Sequence, residues 1–506
     1  MITIGIDLGT TAVKMLAMDE TGRVLHIASR DYPLYIENNE ALMGRYPGIT
    51  PLEAGWTEQD PQDWWEQTAD GLRELTAAVK EPIAAVSFSG QMHGLVALDG
   101  DNRVIRPAIL WNDQRTQRQC DYLNNDIGRD KMLEHTANIA LTGFTAPKFL
   151  WLKENEPELF ARIKKVMLPK DYIAYRLSGV FATDFSDAAG TLLLDVENKR
   201  WSDFMMGVVG LPPESLPRLY PSYAPVGAVT EAAALLTGLC VKTKVVIGGG
   251  DQAVGAVGTG TVKSGMCSVS LGTSGVVFFA GDNFAVDRGR SAVHSFCHAN
   301  GRYHLMGVTL TAAASNKWWS EEVLHTGDYD AEQRVIASDR LGRNPVFFLP
   351  YLNGERTPHN DPNARGAFVG LSLTTTRADM TLAVLEGVAF SLRDIKEIVG
   401  RLGVAAKTAR IIGGGARSPL WCRIIANVLQ LRVEKINSEE GPAFGAAILA
   451  MTGGGAFNTV EEACESLIEV TEAFEPDADT VAAYTRQYGI FAGLYGALWG
   501  RRKDER

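Results

Sequence analysis

The run Val245-Val246-Ile247-Gly248-Gly249-Gly250-Asp251-Gln252 ends an apolar stretch in three glycines and delivers a carboxylate beside an amide. A carboxylate so placed can accept a proton from a substrate hydroxyl, ligate a metal, or cap the helix that follows it. On this segment alone all three remain open. The run Ile4-Gly5-Ile6-Asp7-Leu8-Gly9-Thr10-Thr11-Ala12-Val13-Lys14 carries a second carboxylate on a strand that enters a small-residue turn. Gly9, Thr10 and Thr11 let backbone N–H groups approach phosphate oxygens, and Lys14 supplies a point charge. Asp7 suits Mg²⁺ held through water, because that ion keeps part of its hydration shell. An ordinary β-hairpin would use the same residues.

Leu271-Gly272-Thr273-Ser274-Gly275-Val276 repeats the turn half a chain later. Two such turns on two related domains can clamp a polyphosphate from both sides, so Gly272, Thr273 and Ser274 join the phosphate-binding candidates. A third glycine run, Gly413-Gly414-Gly415-Ala416, follows the apolar Ile411-Ile412 and precedes a helical pattern from Pro419. It permits close approach of an extended ligand such as adenosine, although the Rossmann spacing is absent and a capped turn explains the glycines equally well. Gln91, Met92 and His93 follow the strand Ile83 to Phe88, and Trp111, Asp113 and Arg115 fall in a nearby polar segment. This mixture of apolar faces and directional polar groups is what polyol recognition needs, while buried packing is the competing reading for His93 and Trp111. His294, Cys297 and His298 do not make a zinc site, because in a strand the cysteine points away from both histidines.

The elements that must position these groups are legible in outline. Apolar runs at Ile2 to Ile6, Val13 to Met18 and Val24 to Ala28 predict an antiparallel meander. Asp60-Pro61 predicts a helix start, with Trp64, Trp65, Thr68 and Leu72 on one face. A hairpin is expected from Leu95 to Leu98 through Gly100-Asp101-Asn102 to Val104-Ile105, and helices to about Leu216. The prolines from Pro212 to Pro225 are expected to lead toward a domain boundary.

A chain of 506 residues exceeds what one core holds, so two α/β domains are expected, 1–245 and 246–506, with a cleft between them. The net charge of −11, without a basic block, argues against nucleic acid as a partner. Six scattered cysteines and the absence of a signal-like or membrane-spanning stretch point to a reducing cytoplasm and no membrane. A homodimer is left open.

In this order the motifs resemble the FGGY family of carbohydrate kinases, from Met1 to about residue 490. DLGTTAVK, SLGTSG and GGGARS resemble its two phosphate motifs and its adenosine motif. Phe144 to Leu152 and Gly366 to Gly387 resemble its two signatures. SGQMHG, PAILWNDQRT, LPKDY, SDAAGT, AVHSFCHA and LPYLNGERTPH are similar to the xylulokinase branch. The resemblance implies two actin-like, ribonuclease-H-like ATPase domains, ATP and Mg²⁺, and transfer of the γ-phosphoryl group to O5 of D-xylulose in xylose catabolism. It also implies Asp251 as the base and Met92 and His93 as sugar contacts, in place of the Arg-Glu pair of glycerol kinases. Gln252 stands where many of that branch carry Asn, Gln114 where Gly is frequent, and Glu37 to Gly55 forms a longer loop. The rivals are a sister kinase for ribulose, a deoxyketose or a polyol, and a nucleotide-switched binding protein of the actin or Hsp70 kind. WNDQR and GGGDQ, with no peptide-binding domain, count against the last.

Overall fold

Strand β1 (Ile2–Leu8) is covered on both faces, with Ile2, Thr3, Ile4, Ile6 and Leu8 all buried, as a central strand requires. In the computed structural model, which describes residues 1–289, 292–438 and 440–500, β1 pairs antiparallel with β2 (Ala12–Asp19). Strand β2 pairs antiparallel with β3 (Val24–Asp31), completing the expected meander. On its other side β1 pairs parallel with β4 (Ile83–Gly90). The sheet ends with β5 (Pro225–Ala228), antiparallel to β6 (Lys244–Val246), which lies parallel to β4. The Pro61–Ala78 helix buries Trp64, Trp65 and Leu72, and Asp60 caps it by accepting from Gln62 N.

The Gly441–Gly454 helix packs on β1 so closely that a Cβ on Gly5 would lie 2.0 Å from Ala443 O. The same helix meets the Asp251–Gly258 helix, where a Cβ on Gly445 would lie 2.0 Å from Val254 O. Backbone cannot yield there as a side-chain tip would. Gly5→Ala is therefore expected to destabilise this unit by about 3 kcal/mol, read as a lower urea midpoint at unchanged slope.

A second sheet repeats the pattern. Strand β7 (Gly265–Leu271) pairs antiparallel with β8 (Gly275–Gly281) and parallel with β9 (Ala406–Ile412). Strand β10 (Arg432–Ile436) continues parallel to β9, and β11 (Val470–Phe474) closes antiparallel to it. The Arg377–Arg401 and Pro419–Leu429 helices bury Leu385, Leu392, Ile424 and Ile425 in this unit's core. The two turns seen as a sequence repeat thus occupy matching hairpins, each next to a parallel strand. This is the duplicated α/β architecture that the repeat suggested, and the ribonuclease-H-like, actin-like one that the family resemblance implied.

Two expectations need correction. The division at 245/246 puts Asp251 in the second domain, but the first unit runs through Val262 and takes back 295–303 and 440–468; the second holds the remainder. The prolines lead into β5 of the first sheet instead of a boundary. The cause is the Gly441–Gly454 helix, which returns to cover β1 and holds the Asp251–Gly258 helix. The second correction concerns Val96–Leu98, which pairs with Lys165–Met167, while Leu98 and Val104 make only a single bridge across the turn. The longer loop from Glu37 to Gly55 carries structure of its own. It contains the Glu40–Arg45 helix, and Leu42, Tyr46 and Ile49 pack on Leu159 as a small separate core.

Candidate functional site

In the first unit β1 and β4 run parallel, so their C-terminal ends lie side by side, with Asp7 level with Ser89 and Leu8 with Gly90. Parallel strands project their terminal groups to one edge, which is where an α/β sheet binds ligands. Asp7 reaches that edge partly buried, and so does Asp251, the first residue of the Asp251–Gly258 helix. Burial, partly offset by the Lys14 charge, raises the Asp7 carboxyl to about 6. Burial first and the nearby Asp7 charge second raise Asp251 to about 7.

Asp251 is not the cap of the helix it opens, since Gly250 holds the N-cap position and no side chain makes the cap hydrogen bond. Asp251 Oδ1 accepts from Gln252 N at 2.7 Å. Among the described residues no lysine or arginine forms an ion pair with Asp7 or Asp251, because Lys14, although opposite Asp7 in the β1–β2 ladder, pairs with Glu440. Two neighbouring carboxylates at one strand edge, the charge of Asp7 raising Asp251, fit a hydrated divalent cation, with Asp7 as its holder.

The first turn is closed by Gly9 N donating to Ala12 O at 3.0 Å, while Tyr32 Oη donates to Gly9 O. Trp111 Nε1 donates to Thr10 Oγ1 at 3.0 Å, which brings the Trp111 segment onto the turn and leaves the indole 44% exposed. Met92 is buried directly beneath the glycines before Asp251, since a Cβ on Gly250 would lie 2.9 Å from Met92 Cγ. His93 holds a left-handed backbone, φ 70°. Its Nδ1 lies 2.6 Å from Gly190 O, and its carbonyl accepts from Lys148 Nζ at 2.8 Å and Thr145 Oγ1 at 3.0 Å. Asp7, the first turn, Gln91 to His93, Trp111, Asp251 and Gln252 therefore belong to one neighbourhood.

Asp113 and Arg115 are corrections to the sugar-contact set. Asp113 is 0% exposed, and its oxygens are taken by Thr57 N, Arg115 N and the Arg115 guanidinium. Arg115 also donates to Glu58 at 2.8 Å and stacks 4.1 Å over Trp56. Their polar atoms are spent inside the protein, so they brace the segment that carries Trp111. Gln114 is occupied as well, bonding Asn112 O and accepting from Thr142 Oγ1.

The second unit contains a cavity of about 800 Å³ that brings together Thr273, Gly414 and Gly415 with Trp318, Tyr329 and Ser418. Gly413, at φ 91°, turns the chain sharply where a Cβ would lie 2.6 Å from Leu271 O, so the glycine run sits against the strand that enters the Gly272-to-Ser274 turn. Ala416 is buried behind it, its carbonyl accepting from Cys422 Sγ. A roomy cavity with aromatic walls and backbone donors at a glycine turn suits a nucleotide. Ser418 ends the GGGARS motif, whereas Trp318 and Tyr329 escaped notice because they come from short helical segments with no motif of their own. Only the adjacent pair Trp318-Trp319 was a visible signal.

A buried network also went unrecognised. Lys170 Nζ lies 2.6 Å from Asp171, 3.0 Å from Asp184 and 3.8 Å from Asp187, all fully buried. Asp184 Oδ2 accepts from Ser186 N and Oγ and from Ser222 Oγ, and Ser186 Oγ accepts from Gly250 N at 3.2 Å. Burial pushes Asp187 well above the usual carboxylate range. This cluster holds the residue immediately before Asp251.

Among the described residues no helix is long and apolar enough to cross a membrane. The N-terminal domain model of the FGGY family of carbohydrate kinases matches residues 2–258, and the C-terminal domain model residues 267–453. The chain is 40% identical to the xylulose kinase of Bacillus subtilis (strain 168), over 97% of this chain and 96% of that one. It is 39% identical to the xylulose kinase of Escherichia coli (strain K12), over 98% and 99%. The crystal structure of xylulose kinase from Rhodospirillum rubrum superposes with a TM-score of 0.89 at 28% identity, covering 98% of this chain and 99% of that one.

Proposed function

Since the chain belongs to the FGGY family of carbohydrate kinases, we propose that it transfers the γ-phosphoryl group of ATP to O5 of D-xylulose, forming D-xylulose 5-phosphate. The observation that carries the mechanism is Asp251, a partly buried carboxylate raised to about 7 at the edge where Asp7 and the first turn meet. In this reading Asp251 accepts the O5 proton as the bond to phosphorus forms, and the bond from phosphorus to the β,γ-bridging oxygen breaks, leaving ADP. Met92 offers an apolar face to the carbon chain, and His93 and Gln252 offer polar groups. Gly9 to Thr11 and Gly272 to Ser274 are the phosphate contacts, and the cavity behind Gly413 to Ala416 takes the adenosine.

Mg²⁺, when bound, would offset phosphate charge, and Asp7 would hold it through water. Burial first, and the Asp7 charge second, keep Asp251 basic enough to accept a proton near neutral pH. The site of action is proposed to be the cytoplasm.

A coupled assay across D-xylulose, ribulose, a deoxyketose and polyols tests the substrate. Turnover of D-xylulose at least tenfold above the others in kcat/KM is expected, and turnover no higher than the sugar-free rate would defeat the assignment. The pH profile supplies a second test. A base raised to about 7 is protonated in acid, so kcat is expected to fall tenfold per pH unit well below that value and to level off above it. A rate that rises toward acid would exclude Asp251 as the proton acceptor.

A further inference from the structure

Gln59 is fully buried, and its amide can take only one orientation. Its Nε2 faces two backbone carbonyls, Thr10 O at 2.6 Å and Pro33 O at 3.1 Å, both of which can only accept. Its Oε1 must therefore be the acceptor for the other two neighbours. One is Trp64 Nε1 at 3.1 Å, a donor only, and the second is the amide of Gln91 at 3.0 Å. Gln91 is consequently forced to present Nε2 to Gln59, which leaves its own Oε1 outward from that bond. That oxygen is buried and has no hydrogen-bond partner among the described residues.

A flip of Gln91 would set two carbonyl oxygens against each other in a buried place, so the orientation is locked. An unmet buried acceptor is costly unless something else supplies its hydrogen. Gln91 precedes Met92 and His93, and its backbone N–H donates to Leu8 O beside the first turn. The free oxygen belongs to the segment that carries the sugar-contact candidates, and its orientation is set through Gln59 by the carbonyl of Thr10 in the phosphate turn.

We propose that Gln59 is a positioning residue that fixes the Gln91 amide so that Gln91 Oε1 accepts the hydrogen of a sugar hydroxyl. This rests on the reading above that the first unit holds the sugar. The link also means that the phosphate turn and the sugar segment are joined by two side-chain amides in series, Thr10 O to Gln59 to Gln91. Nothing local to Gln59 in the sequence shows what its side chain meets.

The test is a double-mutant cycle with Gln59→Leu and Gln91→Leu, run with whichever sugar the wild-type enzyme phosphorylates. Wild-type turnover of D-xylulose decides the substrate reading on its own, so the two can fail separately. Gln91→Leu is expected to raise the sugar KM about tenfold, the loss of one buried hydrogen bond, with kcat and the KM for ATP moving less than threefold. Gln59→Leu should raise the sugar KM several-fold, and the double variant should be no worse than Gln91→Leu alone within about twofold. Additive losses, or equal changes in the sugar and ATP constants, would overturn the proposal. Should Gln59→Leu fail to fold, a sugar-bound crystal structure of the wild-type protein decides. A sugar oxygen within hydrogen-bond distance of Gln91 Oε1, with Nε2 still on Gln59, upholds the proposal, and a bound sugar with no oxygen there refutes it.

Discussion

Asp251→Asn is expected to lose about three or more orders of magnitude in kcat for sugar phosphorylation and, at pH 8, to be more stable than the wild-type protein. The amide keeps the acceptor oxygen that takes the hydrogen bond from Gln252 N, so the start of the Asp251–Gly258 helix is preserved. What is lost is the ability to accept a proton. Stability rises for a separate reason. The Asp251 carboxyl is raised in the folded state from 3.8 to about 7. Between those values the folded protein binds more protons than the unfolded chain, so stability falls as pH rises, and above about 7 the full cost is present. An uncharged amide removes that cost. Urea titrations at pH 5 and pH 8 check the claim, since the gain should be larger at pH 8. A variant less stable than wild type at pH 8 would mean that Asp251 is chiefly structural. Near-normal kcat would mean that it is not the base.

Lys170→Met carries the second large effect, a destabilisation of about 3–5 kcal/mol at neutral pH. Three buried carboxyls, Asp171, Asp184 and Asp187, surround its ammonium. Their attraction outweighs the burial of the lysine and raises its pKa, so the cation is present at any ordinary pH. Methionine fills similar space without the charge, and Asp171 and Asp184 must then be buried unpaired or take up protons. The defect should accordingly shrink as pH falls from 8 to 5, because protonation neutralises the orphaned groups. Since Asp184 holds Ser186 and Ser186 holds Gly250, the surviving folded enzyme should also lose kcat more than sugar affinity. A urea midpoint unchanged within error would show that the cluster is not the support it appears on geometric grounds.

Much of the site was legible because its determinants are local. A glycine run after an apolar strand, two small-residue hairpin turns, and Asp60 before Pro61 depend on sterics and hydrogen bonds within a few residues. Asp7, Asp251, Met92, His93 and Trp111 sit at ends of such elements, and the structure brings them together. The paired turns were readable as a duplication because the same hairpin was built twice.

Asp113 and Arg115 looked like sugar ligands for the same local reason, being polar residues beside an aromatic one. Their fate is set by Glu58, 57 positions away from Arg115, and by the indole of Trp56, so no inspection of their own segment would have found it. The domain limit was misplaced by an equally distant cause, the return of 440–468 to the first unit.

Local residue patterns suffice for the two hairpin turns, the glycine-run junctions, the Asp60 cap and the carboxylate at position 251, because backbone sterics and short-range hydrogen bonds leave little choice there. Packing of the whole chain is what puts Asp251 with Asp7 in the first unit, raises its carboxyl to about 7, sets Lys170 in its support and directs Gln91 through Gln59. Those outcomes depend on burial and on partners tens to hundreds of residues away, and burial and pairing are properties of the packed chain that no local spacing encodes.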